Sequence, residues 1–319
     1  MKKVLKIAGI FLGILVLLLL CLVAWVNFTP LPKYESKSIP VNLATDSAAL
    51  ALGQKVVQTE CVICHMGADG KLSGREFTKA DNPFGEIWSA NITNHPEKGI
   101  GRYSNGELAY LFRTGVKKDG GFAPFMMVPN MSDEHLGALI AYLRSDAPLV
   151  QASEAAPPAP KYGFLAKALM KFGVFAPKFQ EIKPIEAPAP DDQVAYGKYL
   201  ATAVFSCFEC HSQSFETNDD YVPENSPGYF GGGNPIEDES FNIVHSANIT
   251  MSKDLGIGKW QAADFVRAVQ TGQRPGQRAL NTVMPRYATL SEAEISAIWA
   301  YLQTVPVLEN DVQKIAQAK

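Results

Sequence analysis

The pentapeptide Cys61-Val62-Ile63-Cys64-His65 recurs as Cys207-Phe208-Glu209-Cys210-His211, and this recurrence constrains the chain more than any other feature. Two thiols at i and i+3 lie on one side of a helical turn, so both can reach the vinyl groups along one edge of a haem. The His that follows brings an imidazole nitrogen beneath the iron. Cys-x-x-Cys-His therefore reads as a c-type haem attachment site. A bare Cys-x-x-Cys would also suit a redox dithiol or half of a zinc site. Neither a set of closing zinc ligands nor a thioredoxin-like βαβ frame is visible. The expected cofactors are two covalently bound haem c groups, held by Cys61 and Cys64 and by Cys207 and Cys210, with His65 and His211 as iron ligands. The fifth cysteine, Cys21, sits in an apolar run and reads as a small hydrophobe.

The frame around the pentapeptide also repeats. Thr45 to Val57 predicts a helix with Asp46 or Ser47 as N-cap. Gly53 inside it is either a weak point or a place where another helix approaches closely, and Gly197 repeats it. A Gly-rich, polar stretch from Gly67 to Gly85 predicts a loop at the haem edge. Ser89-Ala90-Asn91-Ile92-Thr93 and Gly99-Ile100-Gly101 return as Ser246-Ala247-Asn248-Ile249-Thr250 and Gly256-Ile257-Gly258. Asn91 and Asn248, with Tyr103 and Trp260, either bond haem propionates or pin a loop. Ser104 and Glu107 form a capping box for a helix closed by Gly115, and Ser291 and Glu294 form another. The last helix of each copy carries one apolar stripe: Leu136, Leu139, Ile140 and Leu143, then Ile295, Ile298, Trp299 and Leu302. A repeat this long argues for one haem domain in tandem.

A Met in a Pro-flanked loop just before that last helix can reach the open face of the iron. Met284, in Met284-Pro285, is the candidate in the second copy. In the first, Met126 is chosen over Met127 because it directly follows Pro124-Phe125. Filling core gaps is the commoner use of Met. His95, His135 and His245 have no counterparts across the repeats and read as loop or surface residues, His245 being the one beside an Asn-Ile-Thr block.

Outside the repeats, Lys2, Lys3 and Lys6 precede an uncharged run from Ile7 to Val26, long enough to span roughly 30 Å of hydrocarbon. No Ala-x-Ala site follows before Pro30, so residues 1–28 read as an uncleaved anchor rather than a signal peptide. The lysines keep that end in the cytoplasm, which places the bulk of this single-pass chain on the periplasmic side of a bacterial inner membrane. Thr29 to Pro40 reads as a tether. Domains are expected at 41–150 and 191–308. Between them, 151–190 is a Pro-rich linker whose apolar middle, Tyr162 to Phe175, predicts a short helix packed between the domains in preference to a second membrane contact. A net charge of −3 offers no field for nucleic acid.

These residues resemble the membrane-associated multihaem cytochrome c subunits of bacterial alcohol, gluconate and sorbitol dehydrogenases. The resemblance rests on Cys-x-x-Cys-His, on Ser-Ala-Asn-Ile-Thr with Gly-Ile-Gly, and on a Met loop leading into a helix ending Ala-Tyr-Leu. It implies an all-α fold, with two tandem class I cytochrome c domains after a single N-terminal transmembrane helix, each with a His/Met haem. This chain has two haem motifs where that family has three, and no Met-Pro pair in its first repeat. The function expected is electron transfer in the periplasm. The partners would be a dehydrogenase subunit or quinol-linked donor and a terminal oxidase or soluble cytochrome acceptor. The competing expectation is a dihaem enzyme, such as a peroxidase or a thiosulfate-oxidising cytochrome, which needs an open or unusually ligated iron.

Overall fold

No charged residue interrupts the chain between Ile7 and Phe28, and it folds as one helix, α1 (Lys2–Phe28), in the computed structural model, which describes residues 2–238, 240, 242–276 and 279–317. At 27 residues it is about 40 Å long. Among the described residues it is the one helix long and apolar enough to cross a membrane. Its side chains face outward along nearly all its length, and only Val26, near its end, is buried.

The tether that follows is laid along the first repeat. Tyr34 N–H donates to the Gly120 carbonyl at 2.9 Å and Ile39 N–H to that of Gly106 at 3.2 Å. Asp46 then caps α2 (Ser47–Val56), its carboxylate accepting the N–H groups of Ala48 and Ala49. A π-helical turn, Val57–Cys61, leads straight into α3 (Val62–His65). After it come β1 (Glu76–Thr78) and β2 (Gly85–Trp88), then α4 (Asn105–Thr114) and α5 (Asp133–Leu143). The Ser104–Glu107 capping box is formed, and Gly115 ends α4 at φ 71°. Ser132 caps α5, whose stripe of Leu136, Leu139, Ile140 and Leu143 is fully buried.

In the connecting stretch, β3 (Lys161–Tyr162) pairs with β2 and α6 (Phe164–Lys171) follows. The second repeat restates the first: α7 (Gln193–Tyr199), a π-helical turn at Leu200–Val204, α8 (Cys207–His211), β4 (Pro235–Glu237), β5 (Ile243–His245), α9 (Ala262–Thr271) and α10 (Glu292–Leu302). A last helix, α11 (Val312–Gln317), ends the described chain.

In each repeat the first and last helices cross at a glycine. A Cβ on Gly53 would collide with the Ala138 carbonyl, and one on Gly197 with the Ala297 carbonyl. Close approach thus decides the residue, against a helix-propensity cost of about 1 kcal/mol. The two cores merge, Val57, Ile140 and Leu143 sharing one buried cluster with Leu200, Phe208 and Leu302.

Three expectations are corrected. The protein is mostly helical but not all-α, because an antiparallel hairpin stands between the Cys-x-x-Cys-His turn and the Ser-Ala-Asn-Ile-Thr block of each repeat. Strands of three or four residues are too short to show a period-two pattern, so β1 and β2 are hidden inside the stretch expected to be loop. The start of the Pro-rich linker belongs to the first repeat, since Ser153 is buried there and its N–H donates to Thr93 Oγ1 at 3.1 Å. Finally, α6 packs on the end of α1 rather than between the repeats: Trp25 and Phe172 rings lie 5.6 Å apart.

Candidate haem-attachment sites

The repeated Ser-Ala-Asn-Ile-Thr block has a physical task. His65 Nδ1 lies 2.7 Å from the Ala90 carbonyl, and His211 Nδ1 lies 2.8 Å from the Ala247 carbonyl. A carbonyl oxygen only accepts, so Nδ1 carries the proton in both rings, and the Nε2 lone pair is left for a metal. Both histidines are buried; desolvation lowers their pKa against the opposing carbonyl bond, which keeps them neutral. The Asn of each block holds that carbonyl in place. Asn91 Oδ1 accepts from Thr93 N–H and Oγ1, and its amide donates to the Ser153 and Ala155 carbonyls, both at 2.9 Å. Asn248 does the same with Thr250 and with the Leu308 carbonyl at 2.7 Å. Of the two expected roles for these asparagines, loop pinning is the one observed.

The four thiols are free. Burial pushes Cys61 and Cys207 up to about 12 and Cys64 to about 11, and raises Cys210 further, so all are protonated at neutral pH. The two turns lie near enough for their charged groups to act on one another. Beyond burial, Cys210 is raised by Glu209, Glu60, Cys207 and Cys64, two of which belong to the other repeat. Among the described residues no group of three or more His, Cys, Asp or Glu side chains is placed to hold a metal ion.

Sequence reasoning passed over the charged groups here. Glu60 is held well above the usual carboxylate range by burial and then by Glu209, against a hydrogen bond from Tyr287. Glu209 rises to about 8 through burial and Asp220. The signal was available: Glu60 abuts Cys61, and Glu209 lies inside the second pentapeptide. Arg75 was also missed. Its Nε is buried with no hydrogen-bond partner, and its charge acts on Cys64. An orphaned guanidinium donor beside the first turn suits a carboxylate such as a haem propionate. Nε2-free histidines, paired unbridged thiols and this donor together fit a covalently attached haem.

The methionines separate by packing. Met126 ends a short turn, Pro124–Met126, half-buried against the shared core, and Met284 packs against that core in the same way. Met127 is buried beside Gly115 and borders a small cavity with Phe208 and Glu209 of the second repeat. Met131 is fully buried directly before the α5 cap, where the second repeat has Leu290, so it fills core. His95 closes a turn, Nδ1 accepting from the N–H groups of Glu97 and Lys98 and Nε2 lying 3.0 Å from Glu154. His135 takes a hydrogen bond with Ser132 Oγ at 3.0 Å and packs edge-on against Tyr199. His245 lies on β5, its Nε2 buried without a hydrogen-bond partner.

Residues 50–146 match the cytochrome c family model. The chain is 26% identical over 274 residues to the fructose dehydrogenase cytochrome subunit of Gluconobacter japonicus, covering 82% of this chain and 53% of that one. It is 28% identical over 279 residues to the cytochrome c subunit of the quinone alcohol dehydrogenase of Gluconacetobacter polyoxogenes, covering 82% and 57%. A diheme cytochrome c-type protein of Cereibacter sphaeroides is 26% identical over 268 residues, covering 78% and 83%. The chain thus spans little more than half the length of the two dehydrogenase subunits. It carries a cytochrome c domain and is homologous to cytochrome c subunits of dehydrogenases, as the resemblance implied. A cytochrome c domain implies covalently bound haem c and a part in electron transfer.

Proposed function

We propose that this chain, built on a cytochrome c domain, is a membrane-anchored dihaem electron carrier. It would hold one haem c at Cys61, Cys64 and His65 and another at Cys207, Cys210 and His211, one in each repeat. The observation that carries this reading is the matched pair of bonds from His65 to Ala90 and from His211 to Ala247, which orient both imidazoles alike. Haem c, when bound, supplies reversible one-electron chemistry at its iron.

The chain's own residues do the rest. Its paired thiols would hold a haem by thioether bonds to the two vinyl groups, Cys61 and Cys64 in the first repeat and Cys207 and Cys210 in the second. His65 and His211 would ligate the iron through Nε2, and Met284 and Met126 are the residues that would supply thioether ligands. A ligand pair of this kind raises the potential and leaves no position for substrate, which favours a carrier over an enzyme. Arg75 offers its free Nε to a propionate. The shared core and the electrostatic reach between the two turns support passage of an electron within the chain, and α1 supports attachment to the inner membrane with the bulk in the periplasm. The named relatives support a dehydrogenase subunit as donor; a terminal oxidase or soluble cytochrome would accept.

Mass measurement and haem staining of the denatured chain test the stoichiometry, and a mass corresponding to one haem or none would end the proposal. Reduced protein should bind carbon monoxide poorly. Met284→Ala should open the second site to it and lower that potential, and only one of Met126→Ala and Met127→Ala should do so at the first. Ready carbon monoxide binding by the unmutated protein would favour an enzyme instead.

A further inference from the structure

Among the apolar side chains that stand exposed outside α1, an unusual share fall in one short stretch: Phe164, Leu165, Phe172, Val174, Phe179 and Ile182, Phe172 being 60% and Val174 59% exposed. Scattered exposed apolar residues need no explanation, but a contiguous patch does. The patch is built on α6. One side of this helix, Ala166 and Met170, is buried against the protein, while Phe164, Leu165 and, two turns on, Phe172 look outward.

The position of the patch identifies what covers it. Phe172 packs on Trp25, one turn before the end of α1, and Val26 beneath is fully buried. Lys171 Nζ donates to the Trp25 carbonyl at 2.8 Å and to the Thr29 carbonyl at 2.7 Å, and also bonds Thr29 Oγ1. The same ammonium stands 5.2 Å from the centre of the Trp25 ring. This clamp ties α6 to the last turn of α1. The exposed Phe172 therefore lies level with the end of the apolar span, and the exposed Val174 follows two residues on. The helix is also held from the protein side, by the Gly163 N–H bond to the Phe84 carbonyl at 2.8 Å and by the stacked rings of Phe84 and Phe175.

We infer that α6 and the turn after it form a second membrane contact, lying in the interface of the same bilayer that α1 crosses. The inference rests on reading α1 as a membrane span. An amphipathic helix with Phe and Leu outward and lysines at its flanks buries its apolar face at the boundary of headgroups and acyl chains. Lys167 and Lys171 have stems long enough to keep their charges at headgroup level. Two attachments fix the tilt of the haem-bearing part, which a single flexible stalk would not.

The test uses the full-length, haem-loaded protein with Cys21→Ser, in phosphatidylcholine–phosphatidylglycerol vesicles. Single cysteines for spin labelling are placed at Val174→Cys, at Leu18→Cys within the span, and at Val307→Cys on the second repeat. Collision with oxygen, which enters lipid, is compared with collision with a nickel chelate, which does not. The oxygen-to-nickel ratio at position 174 should be severalfold that at 307 and approach that at 18. If nickel reaches 174 as freely as 307 while 18 stays shielded, the anchor stands and the second contact is refuted. If 18 is also open to nickel, both readings fall. Shielding of 174 from oxygen and nickel alike would mean that a protein surface covers α6, and would equally overturn the inference.

Discussion

Both repeats use one scaffold, yet they touch each other through different chemistry. Lys55 and Tyr199 occupy the same place, two residues after the crossing glycines Gly53 and Gly197, and Glu294 and His135 both stand three residues after the cap of the last helix. On one side Lys55 Nζ meets Glu294 at 2.7 and 2.8 Å. On the other, Tyr199 donates to Ser132 Oγ at 2.9 Å and its ring packs on His135. One contact is an ion pair and the other a neutral polar-aromatic cluster. The scaffold repeats because the helix crossing and the bond that orients each histidine need the same residues twice. The contacts across it are free to diverge, since each need only satisfy its own buried groups.

The largest effect should come from the feature the repeats share. Gly53→Ala and Gly197→Ala each drive a Cβ into a carbonyl oxygen and should cost about 3 kcal/mol or more, read as lowered thermal midpoints by circular dichroism. A mild effect at one glycine alone would show that the two crossings are not equivalent.

Next comes the neutral contact. Burial, despite Glu294 and with Lys55 opposing protonation, lowers His135 to about 4. Its Nδ1 accepts the Ser132 hydroxyl proton only while unprotonated. The unfolded chain takes up this proton near pH 6.5 and the folded one only near 4. Stability of about 3 kcal/mol, present above pH 6.5, should therefore be lost as pH falls across that interval. Denaturant titrations of His135→Phe should show a flatter profile there; an unchanged slope would remove His135 from the interface's acid response.

The ion pair should matter less, being partly exposed. Burial raises the Glu294 carboxyl, but the hydrogen bonds from Lys55 and Ser291 and the Lys55 charge outweigh it and leave it below its ordinary value. Its contribution is present above the unfolded carboxylate pKa and is lost as pH falls below about 4.5, a window under that of His135. Lys55→Met should cost about 2 kcal/mol at neutral pH, and the double mutant with Glu294→Gln should recover part of it. The smallest effect belongs to Tyr199→Phe, about 1 kcal/mol for one buried hydroxyl. Equal costs for Lys55→Met and Tyr199→Phe would mean that the two sides differ in appearance only.

Much of the scaffold is legible from residues alone. Ser104 and Ser291 are the caps expected, and Asp46 is the one of the two candidates for α2 that caps it, because capping depends on neighbours within one turn. The buried stripes of α5 and α10 follow from helical spacing. Asn91 was readable as important but ambiguous, since its amide partners, Ser153 and Ala155, lie some 60 residues away. The β-hairpins were too short to show, and α6 was assigned the wrong neighbour because an apolar face says that it is covered but not by what.

The sequence by itself determined the two Cys-x-x-Cys-His motifs at Cys61, Cys64, His65, Cys207, Cys210 and His211, the helices and their ends, and the duplication. All of these are set by residues within a turn of one another or by direct repetition. Only the tertiary structure decided that Ala90 and Ala247 orient the two histidines, that the Glu209 charge acts on Glu60, that Arg75 is left without a partner at Nε, and that Lys171 clamps α6 to α1. Each of those depends on groups brought together from distant parts of the chain, and burial, which gives them their energy, exists only once the chain has folded.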